Sequence, residues 1–173
     1  MQAEYAKAGP DDILIRLTIS NCGPETADLR ILPTFWFRNT WTWGCDHEGC
    51  WPKPAIYETD GQIVASHVSM SSFQLSADKA NSGEAPEWRF TENETNPSLH
   101  PNVPTSGRRF KDAFHRLVID GDQDAISQER RGTKVAADYS LTIPAGESRT
   151  IKLRMSAIDD VPSECFSLSL IHI

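Results

Sequence analysis

Several things are missing from this sequence, and each absence narrows the field. No run approaches the roughly 18 apolar residues of a membrane-spanning helix, and no basic stretch leads into an apolar one at the start. This reads as a cytoplasmic chain with no membrane partner. Positive charge is short: 17 Lys and Arg against 24 Asp and Glu leave a net charge of −7, which argues against a nucleic-acid partner. There is no Gly-rich phosphate loop and no Gly-x-Ser-x-Gly nucleophile elbow. Internal repeats and low-complexity tracts are also absent. Nothing calls for a cofactor. The four cysteines, Cys22, Cys45, Cys50 and Cys165, are irregularly spaced, so reduced thiols are the default, and a Cys45–Cys50 disulfide would need export.

What remains is a chain of 173 residues with 39% apolar residues and 10 glycines, enough for one packed domain. Ile13, Ile15, Leu17 and Ile19 alternate with Leu14, Arg16, Thr18 and Ser20, the period of a half-buried strand. Residues 21–25 break it with turn chemistry. Leu29 to Phe37 is strand-like, with Pro33 marking a bulge, a strand start or an edge. The pair makes a hairpin or a sandwich corner. Residues 38–54 read as a loop. Asp60-Gly61, between Ala55 to Tyr57 and Gln62 to Ala65, signals a type I′ hairpin turn. Val68 to Leu75 is a strand candidate, Ser76 to Pro86 a loop, and Glu87 to Thr91 a short strand. Residues 92–108 form a long Asn-, Pro-, Ser- and Thr-rich connection, and such loops are usually functional. In the stretch Lys111 to Val118, the residues Phe110, Ala113, Phe114, Leu117 and Val118 fall at helical spacing. Lys134 to Ile143, Pro144-Ala145-Gly146 and Ser148 to Met155 read as a final hairpin. Short strands separated by turns predict an all-β fold, an antiparallel β-sandwich with one short helical insertion.

Four of the five tryptophans lie between positions 36 and 51, within a run that opens Phe35-Trp36-Phe37-Arg38-Asn39-Thr40-Trp41-Thr42-Trp43. Two readings stay open. Trp faces stack on sugar C–H surfaces while Arg and Asn bond hydroxyls. Alternatively, the tryptophans are packing. Cys45-Asp46-His47-Glu48-Gly49-Cys50 lacks the second Cys or His pair that zinc needs, so no metal is expected. Glu92 and Glu94 sit two apart, and in an extended segment they point to opposite faces, poorly placed as an acid/base pair. Arg108, Arg109, Lys111, His115 and Arg116 make a basic patch, with Lys111 and His115 at i, i+4 on a helix side. A solvated face or a contact with a neighbouring domain accounts for it.

Residues 10–44, 90–96 (FTENETN), 111–115 (KDAFH) and 132–155 (GTKVAADYSLTIPAGESRTIKLRM) together resemble a group of bacterial glucosidase-like proteins. They are similar to glycoside hydrolase family 63 and the mannosylglycerate-hydrolase-like glycosidases. The resemblance runs from about Glu4 to Met155. It implies an N-terminal β-sandwich that packs on a C-terminal (α/α)6 barrel of the same parent chain. That barrel carries the acid and base carboxylates, and hydrolysis of an α-glycosidic bond inverts the anomeric centre. No catalytic residue carries over, because no matching segment is present. The CDHEGC loop departs from the group's pattern.

These readings combine into a set of expectations. Residues 1–156 are the sandwich domain of a larger glycosidase, cut at both ends and inactive alone. Arg38, Asn39, Trp41, Trp43, Glu92 and Asn93 are the substrate-side candidates for a carbohydrate. Residues 157–173 are a non-native or frayed tail. Within it, 168–173 (LSLIHI) resembles the translation of a sequencing-library transposase end. EYAKA resembles the end of a preceding strand. The alternative function is a stand-alone carbohydrate-binding or interaction module.

Overall fold

A computed structural model describes residues 1–41, 52–97, 109–162 and 164–166. Its strands, numbered along the chain, form two antiparallel sheets packed face to face. The larger sheet has the order β1 (Gln2–Gly9), β2 (Asp12–Ser20), β11 (Ser148–Ala157), β7 (Phe73–Ala77), β6 (Gln62–Ser66), β5 (Ala55–Thr59) and β9 (Arg131–Gly132). In the smaller sheet β10 (Lys134–Ile143) pairs on one side with β3 (Ala27–Ile31) and β4 (Thr34–Trp36), and on the other with β8 (Glu87–Thr91). One helix, α1 (Ala113–Ile119), packs on the smaller sheet through Ala113, Phe114 and Leu117 against Ala136 and Leu32. The expected all-β sandwich with a short helical insertion is the fold.

The period-two patterns explain the core. Val135, Ala137, Tyr139, Leu141 and Ile143 of β10 are all buried. They face Ile19 and Ile151 at one end and Ile56, Ile63, Ala65 and Leu75 at the other. Each fully buried Ile or Phe contributes about 1.5–3 kcal/mol over its exposed state. The Tyr139 hydroxyl donates to the Asp78 carbonyl at 2.5 Å, and burial pushes this phenol well above its ordinary value. On the outer face of β10, the buried Asp138 accepts from Arg30 at 2.8 and 2.5 Å and from Arg89 at 3.3 Å. On the outer face of the larger sheet, the buried Arg154 forks onto Asp12.

The Asp60-Gly61 turn is as read: both residues have positive φ, 49° and 74°, the requirement of type I′. Elsewhere the structure corrects the sequence reading. Residues 134–155 do not form a hairpin. β10 and β11 lie in different sheets, and Pro144–Glu147 is a corner that turns the chain across the core. The alternation was read correctly, but it reports one buried face and not the pairing partner. β2 and β3 are likewise joined by a corner. Leu29 to Phe37 splits at Leu32-Pro33, with the same register to β10 on both sides. Pro33 therefore interrupts an edge strand without a bulge, and its carbonyl accepts from Ala137 N at 3.0 Å. The Val68 to Leu75 strand begins only at Phe73, because Val68 and Met70 sit in an exposed turn closed by Met70 N to His67 O.

β1 is a full strand that the polar lead MQAEYAKAG concealed. It pairs with β2 along its length, with Tyr5 opposite Ile15 and the Glu4–Arg16 ion pair at 2.7 Å. The helix starts at Ala113, so Lys111 precedes it, and Val118 is exposed. Asp112 stands at the N-cap without a side-chain capping bond; its Oδ2 accepts from Asn96 Nδ2 at 2.8 Å. β11 runs to Ala157, one residue past the expected domain edge, and the Cys165 carbonyl accepts from Arg154 Nη1 at 2.9 Å. Residues 168–173 and the pair Cys45 and Cys50 lie outside the described residues. No described helix is long and apolar enough to cross a membrane.

Candidate functional site

At one end of the sandwich the chain passes from the larger sheet to the smaller between β9 and β10. Gly132 makes that passage against the backbone of Thr91, the last residue of β8. A Cβ at 132 would lie 2.1 Å from the Thr91 carbonyl oxygen, so only glycine fits. Thr133 N donates to the Thr91 carbonyl at 3.1 Å, and the buried Thr91 hydroxyl donates to the Phe110 carbonyl at 3.0 Å. β8 therefore stops at a fixed point, and the residues that follow it leave the extended alternation.

Thr133 organises those residues. Its hydroxyl donates to Glu92 Oε2 at 2.7 Å and accepts from Asn93 N at 2.8 Å. Its carbonyl accepts from Phe37 N at 3.0 Å. The segment after β4 is then laced to the segment after β8. Asn93 Nδ2 donates to the Phe37 carbonyl at 2.9 Å, and Asn39 Nδ2 donates to the Asn93 carbonyl at 3.1 Å. Beyond this amide clamp, Trp41 Nε1 donates to Glu94 Oε1 at 2.7 Å. Lys53 Nζ lies 2.9 Å from Glu94 Oε1 and 3.0 Å from Glu92 Oε2, and 5.7 Å from the centre of the Trp41 ring.

Partial burial works against the charge on Glu94, but the Trp41 N–H and the Lys53 ammonium hold its carboxyl below the usual carboxylate range. Burial likewise opposes the charge on Lys53, and the two carboxylates raise it above the ordinary lysine value. One ammonium bridging two carboxylates favours the charged forms of Lys53 and Glu94. The arrangement suits hydrogen bonding to a polar ligand and not proton transfer.

Four of the six sequence-predicted residues, Asn39, Trp41, Glu92 and Asn93, meet in this network. Arg38 lies on the same segment, between Phe37 and Asn39. Trp43 lies outside the described residues. Trp41 packs against the core cluster that holds Phe37 and Phe90, the contact that the packing reading expects, and its N–H serves the polar cluster. The expectation that Glu92 and Glu94 diverge is overturned. β8 ends at Thr91, strand alternation no longer applies, and both carboxylates reach Lys53. The Lys111–His115 helix pair does not form either, since Lys111 is in the turn before the helix and its N–H donates to the Glu94 carbonyl at 2.9 Å.

Lys53, Thr133 and Gly132 were missed. Lys53 did carry a signal, because Pro52 and Pro54 flank it and fix an extended backbone. The other two carried none, since their roles depend on β8, far away in the chain.

No family model matches the chain, and no solved structure matches it. Among curated proteins it is similar to the uncharacterized protein YMR196W of Saccharomyces cerevisiae, with 30% identity over 171 aligned residues. The match takes in 85% of this chain and spans 15% of the length of the yeast protein.

Proposed function

We propose that this chain is the non-catalytic β-sandwich region of a longer glycoside hydrolase of the glucosidase type. In this reading it packs on an (α/α)6 barrel and lends loop residues to the substrate side. The observation that carries the reading is the meeting of two sequence-distant segments, 37–41 and 91–94, at one end of the sandwich. Both belong to the blocks by which the sequence resembles the family. Together they gather Trp41, Lys53, Glu92 and Glu94 into one polar patch. A match to a small share of a much longer relative accords with a domain of a larger polypeptide.

The chemistry then belongs to the barrel. A general acid protonates the glycosidic oxygen while a general base activates water on the opposite face. Glu92 and Glu94 do not serve as that pair, since they share one ammonium. The test compares the purified chain with a longer gene product on α-glucosides, reading the anomer released. The chain alone is expected to be inactive, and the longer product to hydrolyse with inversion. A longer product that cleaves no glycoside sinks the proposal. Sugar-dependent tryptophan fluorescence from the chain alone would favour a stand-alone carbohydrate-binding module.

A further inference from the structure

The two sheets are unequal, and the mismatch falls at one place. The larger sheet is seven strands wide, while β3 and β4 share one edge of the smaller sheet. β1 and β2 overhang that edge. Between them and β4 runs an apolar groove of about 300 Å³, lined by Tyr5, Ile15, Leu17, Phe35, Leu153 and Met155. Tyr5 is 68% exposed.

Among the described residues, β4 is unpaired on its far side. Pro33 and Phe37 bond toward β10, and antiparallel alternation sends the N–H and C=O groups of Thr34 and Trp36 the other way. Those groups have no backbone partner among the described residues. On the opposite face of the same edge lies a second apolar hollow, about 310 Å³, lined by Leu32, Phe114, Val118 and Ile119. Thr34 lines both hollows. Ile119 is 75% and Trp36 55% exposed.

A free strand edge with apolar hollows on both of its faces fits one kind of occupant. We infer that β4 accepts an added antiparallel strand of about four to six residues, apolar on both faces, supplied by another part of a longer polypeptide. Its backbone pairs with Thr34 and Trp36. One set of its side chains fills the groove over β1 and β2, and the alternate set covers Val118 and Ile119. Strands buried on both faces read as continuous apolar runs, so the donor segment is uninterrupted Val, Ile, Leu or Phe. Main-chain bonds supply the affinity and the two hollows supply the selection. This rests on reading the chain as one domain of a longer protein. Most of the yeast relative's length lies outside the matched stretch, which leaves room for such a segment.

The probe is a set of overlapping synthetic peptides covering the yeast relative outside the matched stretch, added to the whole 173-residue chain. Hydrogen exchange is read at single amides. We expect peptides with an apolar run to slow the Thr34 and Trp36 amides about tenfold or more and to leave Phe35, already paired with β10, unchanged. Thr34→Pro removes an outward N–H without touching the β10 ladder and should abolish that protection. Ile119→Glu, at an exposed position that leaves the fold alone, should weaken peptide binding about tenfold through the outer hollow.

If no peptide protects these amides, or peptides bind without protecting them, the inference is overturned. A dimer in which both amides are slow without peptide overturns it too, because the occupant is then a second copy. Glycoside hydrolysis is not read here. Protection by peptides with no glycosidase activity in a longer product would fail only the function proposed above.

Discussion

The contact between Gly132 and Thr91 shows how much of the site rests on one missing methyl group. Alanine at 132 would place a carbon against a backbone carbonyl that β8 and Phe110 hold still. Relief requires parting β8 from the β9–β10 passage, which also pulls Thr133 from Glu92. We expect Gly132→Ala to cost about 1–3 kcal/mol or more, read as a lower urea midpoint, and an unchanged midpoint would refute the close approach. Glu94 makes a second, pH-dependent prediction. Its folded carboxyl titrates below its unfolded value, so its contribution is present above the ordinary carboxylate value of about 4.3. It is lost as pH falls through the folded value. Glu94→Gln should therefore melt lower than the native protein near neutral pH, and the two should converge in acid. A gap that persists in acid would mean that packing, and not charge, holds Trp41 and Lys53. The sequence exposed the polar residues at this end because composition reports chemistry. It hid Gly132 because its φ is ordinary, and the need for glycine arises from a distant strand.

At the scale of elements, the two corners next to each other at one end of the sandwich depend on Asn21. Its N–H donates to the Glu147 carbonyl at 2.9 Å, and its own carbonyl accepts from Gly146 N at 3.0 Å. Its side-chain amide donates to the Ile143 and Glu25 carbonyls at 2.8 and 2.7 Å, and Oδ1 accepts from Gly23 N at 2.9 Å. One side chain thus ties the β2–β3 turn to the β10–β11 turn. Asn21→Ala strips three hydrogen bonds and leaves carbonyls at the corner without their donor, a loss of about 1–3 kcal/mol. Asn21→Asp keeps the acceptor and loses the two donated bonds, so it should fall at or near the alanine value. A stable alanine variant would show that the turns hold themselves. These corners explain why strands were legible and their pairing was not. The alternation in Lys134 to Ile143 and in Ser148 to Met155 reports a buried face, and Pro-Ala-Gly reports a turn. A hairpin and a sheet-crossing corner share both signals. They differ in whether the buried faces lie side by side or look at each other, and here Leu141 and Ile151 meet across the core.

For the whole molecule, the sandwich was legible in the number and spacing of short strands, while its lopsidedness was not. Sheet width is a property of pairing, and no local pattern of residues records it. The consequence is an uneven distribution of stability. β10 is paired on both sides and its inner residues are fully buried. β11 is held between β2 and β7 and anchored by the buried Arg154–Asp12 fork. Among the described residues β1 bonds only to β2; it is mostly exposed and leans over the open groove. Detaching β1 uncovers little apolar surface that is not already wet, so its opening should cost far less than global unfolding. Native-state hydrogen exchange is expected to place β10 and β11 in the slowest class and β1 in a separate, faster one that opens first. The free energy of the β1 class should also be nearly independent of denaturant, since little area is exposed when it opens. If β1 exchanges only with β10, through global unfolding, then the groove beneath it is closed in solution and the sandwich is more balanced than its strand count.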